Sequence, residues 1–165
     1  LARGDGAVIA DPTLRIDVID LFASYAACLD SGCFQEWVEF FTEDAWYRII
    51  SRENYDRKLP LSTVSLHGVP MMRDRIYGIE STIFHAPHYQ RHIIGPTRII
   101  RRDGYVIETE TNYVVFRTKR DMPADIFNAG VYIDKINITP GGLKFSEKFC
   151  VFDNDLIPNS LIYPI

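Results

Sequence analysis

Apolar residues along the chain follow two different rhythms, helical up to about residue 79 and strand-like from Tyr89 onward. Asp11-Pro12 offers an N-cap followed by a proline suited to the first helical turn. Leu14, Val18, Leu21, Phe22, Tyr25, Cys28 and Leu29 then recur at three- and four-residue steps, which predicts one amphipathic helix ending near Gly32. A second short helix presents Phe34, Trp37, Phe40 and Phe41 on one face. Thr42-Glu43-Asp44 should then turn the chain into a strand over 45–50. Residues 51–69 read as polar and irregular. Pro70 can open another short helix carrying Met72, Ile76 and Ile79, and Pro87 interrupts the chain again.

From Tyr89 nearly everything reads as strand. Runs over 89–94 and 97–102 are separated by Gly95-Pro96, which marks a bend or bulge and not continuous central pairing. Asp103-Gly104 predicts a two-residue type I′ hairpin, in which both central positions need positive φ. Long runs over 105–118, 126–138 and 143–152 follow, joined by a loop over 119–124 and by the Pro140-Gly141-Gly142 turn. Gly130, inside its run, predicts a sharp bend. The expected class is α+β: a long curved antiparallel sheet with the N-terminal helices packed on its concave face.

Composition narrows the picture. With 165 residues, 47% hydrophobic and 13% aromatic, the chain can bury one sizeable core, so a single domain over 1–165 is expected, with residues 1–11 as a flexible arm. Ser160-Leu161-Ile162-Tyr163-Pro164-Ile165 is too apolar to be left in water. Residues 159–165 are therefore expected to dock, either on their own domain or in a subunit contact. A formal charge of -4 and a pI near 5.5 offer no attraction to nucleic acid or to an anionic membrane, both of which reward clustered cations. No apolar run approaches membrane-spanning length and the first residues lack the layout of a secretory signal, so a cytoplasmic location is expected. The sequence starts at Leu1 and not at Met, which leaves the true start open.

Candidate chemistry is sparse. Cys28, Cys33 and Cys150 are odd in number and lack CxxC or CxH spacing, which predicts reduced thiols with neither a disulfide framework nor a metal site. His85, His88 and His92 cluster within eight residues. On a strand, His88 and His92 share a face but stand two pleats apart, beyond the span of one metal ion. The simpler expectation is that Arg91 and His92 bond carboxylates or carbonyls within the sheet or at an interface. A helix-capped sheet can also make a pocket for acid/base chemistry using a His with Asp44 or Asp134, as a stand-alone isomerase or dehydratase would. Phosphate loops, nucleophile elbows and Cys nucleophile signatures are all missing. Arg57-Lys58 reads as a solvated face. Arg98, Arg101 and Arg102 read as exposed strand positions guarding a sheet edge.

Several elements gain meaning from their order: Phe40-Phe41-Thr42-Glu43-Asp44-Ala45-Trp46-Tyr47, Arg52-Glu53-Asn54, Met71-Met72-Arg73-Asp74-Arg75-Ile76, Tyr89-Gln90-Arg91-His92 and Gly130-Val131-Tyr132-Ile133-Asp134-Lys135. In this order, from about Leu14 onward, the chain resembles the small (beta) subunit of Rieske-type aromatic-ring-hydroxylating dioxygenases. The Met-x-x-Asp-Arg-Ile element, the Arg-His pair about fifteen residues later and the apolar end are its more specific features, with Met72 standing where Leu is more usual. The resemblance implies a cystatin-like, nuclear-transport-factor-like cone and an assembly of three large and three small subunits. It places the Rieske iron-sulfur cluster and mononuclear iron in the large (alpha) subunit, with NADH-derived electrons arriving through a reductase and usually a ferredoxin. No catalytic, cofactor or metal residue is implied in this chain, and it carries no Cys-x-His and Cys-x-x-His pair for a Rieske cluster. Asp74, Arg75, Arg91, His92, Tyr163 and Ile165 become candidates for subunit contact or structural roles. The Arg-Glu-Asn segment and the length look most similar to partners of oxygenases acting on substituted benzoates such as salicylate, anthranilate or terephthalate.

Overall fold

The computed structural model describes residues 11–154 and 161–165. The expected N-terminal arm, apart from Asp11, and the start of the expected docking segment lie outside these residues. Helix α1 (Pro12–Asp30) starts where the Asp11 carboxylate accepts the backbone N–H groups of Thr13 at 3.0 Å and Leu14 at 3.3 Å, partnering donors that the first helical turn leaves free. Its apolar stripe, from Leu14 through Val18, Phe22 and Tyr25 to Leu29, is buried. Gly32, at φ 71°, takes the left-handed conformation just past the helix end. Helix α2 (Phe34–Trp37) and a 3-10 turn (Val38–Phe40) complete the helical front.

Strand β1 (Phe41–Ser51) begins earlier than its sequence suggests. Thr42-Glu43-Asp44 is part of the strand, because its pairing slips between Phe41 and Trp46 and the polar triplet is absorbed there as an irregularity. The stretch expected to be irregular also holds structure. Ser51 Oγ accepts the Asn54 N–H at 3.3 Å and caps α3 (Arg52–Asp56), while β2 (Val64–His67) pairs antiparallel with β1. Four alternating residues are too few to stand out without that partner. Helix α4 (Gly68–Tyr77) opens two residues before Pro70 and runs into a π-helical turn (Gly78–Thr82).

The remaining strands are β3 (Tyr89–Asp103), β4 (Val106–Thr118), β5 (Asp125–Thr139) and β6 (Gly142–Phe152), and the sheet order is β2-β1-β6-β5-β4-β3. The sheet is mixed and not wholly antiparallel, since β1 runs parallel to β6. β3 lies at the edge, where Pro96 interrupts no central ladder, and its register against β4 slips between Ile94 and Thr97. The hairpin after β3 differs from the expected type I′. Its loop residues are Gly104 and Tyr105, with positive φ only at Gly104, which matches a type II′ pattern. Pairing with β4 runs unbroken through Gly130 and pairing with β6 begins there, so glycine answers to close approach. A Cβ at this position would lie 2.0 Å from the Val151 carbonyl oxygen. The register slip in that part of β5 falls at Phe127 instead.

The core fills the space between α1 and the inner face of the sheet. Phe22 and Tyr25 meet Phe145 edge-on at 5.5 and 5.6 Å between ring centroids, and Tyr113 stacks on Tyr132 at 3.9 Å. Aromatic pairs of this kind add directional energy to the burial of apolar area.

Candidate functional site

In an α+β cone the natural place for a ligand is the space between helices and sheet, and here residues 161–165 occupy it. Ile165 is fully buried. Its carbonyl oxygen accepts Tyr25 Oη of α1 at 2.8 Å, Tyr47 Oη of β1 at 3.1 Å and Cys150 Sγ of β6 at 3.3 Å, and its N–H donates to Tyr47 Oη at 2.9 Å. Burial drives both phenols well above the usual tyrosine pKa and the Cys150 thiol up to about 12, so all three remain protonated donors. One face of α4 delivers Arg75, whose guanidinium donates to the carbonyls of Leu161 at 2.6 Å and Ile162 at 2.9 Å. Asp74, one residue earlier, points to solvent and has no side-chain partner among the described residues.

The three clustered histidines separate into two places. His85 and His88 precede β3 and surround Tyr163. His85 Nε2 lies 2.8 Å from the Tyr163 hydroxyl, His88 stacks on the Tyr163 ring at 4.5 Å, and the Phe34 ring of α2 lies tilted against that ring at 4.9 Å. Burial draws the His88 pKa below the usual imidazole value. His92, inside β3, is buried and turned to Asp30 at the end of α1: its backbone N–H donates to both carboxylate oxygens at 3.0 and 3.1 Å, and Nδ1 is 2.6 Å from Oδ1. Arg91 reaches the same carboxylate at 3.4 Å from an exposed position. An acid in the last turn of a helix opposes the macrodipole, and this unused signal could have pointed to a partner for Asp30.

Neither of the two carboxylates considered for acid/base work pairs with a histidine among the described residues. Asp44 is exposed and bonded to Thr42 at 3.0 Å. Asp134 is buried beside Lys148 at 3.4 Å, and the Lys148 ammonium sits in an aromatic box, 3.6 Å from the Tyr132 centroid and 4.5 Å from those of Tyr25 and Phe145. Burial raises the Asp134 pKa to about 6 and outweighs the opposing pull of Lys148. Tyr25, Tyr47, Cys150, Asp30 and Lys148 all hold this interior together through contacts remote along the chain, which is why sequence periodicity did not assign them these roles. With the interior packed by side chains and by residues 161–165, a stand-alone isomerase or dehydratase is not favoured.

Cys150 is in the core, Cys28 donates to the Cys33 carbonyl at 3.1 Å, and among the described residues no group of three His, Cys, Asp or Glu side chains could hold a metal ion. The outer face of the sheet is different in character. By register, Arg91, Phe116 and Ile126 lie side by side across β3, β4 and β5, with Ile93 and Tyr89 flanking them, and Tyr89, Ile93, Phe116 and Ile126 are all exposed. A contiguous exposed apolar patch of this kind marks a contact surface.

Comparison with known proteins resolves the family. A SnoaL-like domain matches residues 13–148. The anthranilate 1,2-dioxygenase small subunit of Burkholderia cepacia is 34% identical over 142 residues, covering 86% of this chain and 88% of that one. This chain belongs to the small (beta) subunits of aromatic-ring-hydroxylating dioxygenases. The beta 2 subunit of the terephthalate 1,2-dioxygenase terminal oxygenase component of a Comamonas species is 27% identical over 92% of this small subunit and 98% of its own length. Among solved structures, a beta subunit assigned to an aromatic-ring-hydroxylating dioxygenase of Novosphingobium aromaticivorans superposes with a TM-score of 0.85 at 30% identity, covering 93% of this chain and 97% of that one. The benzoate 1,2-dioxygenase beta subunit of Burkholderia mallei, 18% identical, shares the fold with a TM-score of 0.72 over 96% of this chain and 98% of that one. Among the described residues no helix is long and apolar enough to cross a membrane.

Proposed function

We propose that this small subunit is the non-catalytic structural partner of a large oxygenase subunit, three of each in one cytoplasmic assembly that hydroxylates an aromatic acid in aromatic catabolism. In this reading the large subunit carries the Rieske cluster and mononuclear iron and activates dioxygen. NADH-derived electrons reach it through a reductase or ferredoxin. The likeness to the small subunit of the anthranilate enzyme carries the reading. The exposed apolar patch on β3 to β5 supports it.

The interface candidates divide by position. Asp74 and Arg91 are exposed and suit direct contact, whereas Arg75, His92, Tyr163 and Ile165 shape the surface from within. Co-expression of Asp74→Ala and Arg91→Ala variants with the large subunit tests this division. The expected result is reduced recovery of the heteromer with unchanged melting of the isolated small subunit. Full recovery from both variants would remove these two residues from the interface.

A further inference from the structure

The contacts made by residues 161–165 are those of a bound peptide and not of a strand or helix. The segment takes no part in the sheet, and its peptide groups are read by side chains. Two phenols and a thiol converge on one carbonyl, one of those phenols also accepts the Ile165 N–H, and one guanidinium takes two further carbonyls. These donors come from α1, β1, β6 and α4, elements far apart in sequence. The fit is close: the space left between Trp37, Tyr47, Ile49, Arg75 and residues 162–164 is only about 10 Å³, too small to hold more than one water.

We propose that the interior of the cone is a preformed peptide-binding site and that residues 161–165 are its built-in ligand, separable from the rest of the fold and replaceable by the same peptide supplied in trans. The site selects an apolar segment with an acceptor oxygen and a branched aliphatic side chain at the inner end and a phenol at the mouth. The phenol is recognised by His85 through its hydroxyl and by His88 and Phe34 through its ring. This assignment stands apart from the assembly proposed above, since it concerns the inner face of the sheet and not the outer one.

Hydrogen exchange on the intact small subunit is the first test. The amides of Leu161 and Ile165 should exchange through an opening at least tenfold more frequent than the one that exposes Tyr132 of β5; exchange of all three at one common rate would make the segment ordinary core and overturn the proposal. The attached segment competes at high effective concentration, so binding in trans is read with a full-length Tyr163→Ala, Ile165→Gly chain and a labelled Leu-Ile-Tyr-Pro-Ile peptide. Saturable binding at least tenfold tighter than that of the rearranged peptide Pro-Tyr-Ile-Leu-Ile, and weakened at least tenfold by Tyr47→Phe, is expected. Equal binding of the two peptides, or no binding to a folded chain whose own segment exchanges freely, would contradict it.

Discussion

At Asp134 the energetics turn on a single proton. Because burial raises the folded carboxyl to about 6 while an unfolded aspartate titrates near ~3.9, the folded state binds this proton more tightly. Its contribution to stability is therefore complete below about pH 4 and is lost as pH rises toward 6. Urea unfolding of the isolated small subunit between pH 4 and pH 7 should show this component falling with pH, and Asp134→Asn should abolish it; an unchanged slope in the variant would assign it to another group. Lys148→Met leaves the carboxyl buried without its cation and should destabilise by about 3–5 kcal/mol, with part recovered in the double variant Lys148→Met, Asp134→Leu. Asp30 acts more locally. Asp30→Ala strips His92 of three hydrogen bonds and should lower the melting temperature of the isolated chain, as read by circular dichroism.

Among the elements, β5 and β6 depend on Gly130. A Cβ there would collide with the Val151 carbonyl and with Phe152 Cα at 2.8 Å, so Gly130→Ala should force the two strands apart and yield mostly insoluble chain in an expression trial. Normal solubility and melting would show that the strands can separate at little cost. This glycine was legible in the sequence, but its reason was not, since the colliding atoms belong to Val151 and Phe152 on another strand. The same limit explains the other differences. α1 and the β3 to β6 meander follow from local periodicity, whereas the parallel β1 to β6 pairing and β2 exist only through partners remote in sequence. His92 was expected to bond a carboxylate or a carbonyl, and it bonds the Asp30 carboxylate. The pairing of His92 with Asp30 in particular, the aromatic box around Lys148 and the Tyr25, Tyr47 and Cys150 cradle around Ile165 exist only once the fold is assembled.

Over the whole molecule, polarity is distributed in favour of a structural role. Tyr25, Tyr47, Arg75, His92 and Lys148 turn their polar groups to residues 161–165 or to buried carboxylates, while exposed Tyr89, Ile93, Phe116 and Ile126 share the outer face of β3 to β5. That face should carry the assembly. The most direct measurement is the native mass and iron content of the complex recovered from its own cells through a tag on this small subunit. Recovery of a roughly equimolar larger subunit bearing iron is the expected result. An iron-free oligomer of this chain alone, obtained repeatedly under gentle conditions, would contradict the proposed role.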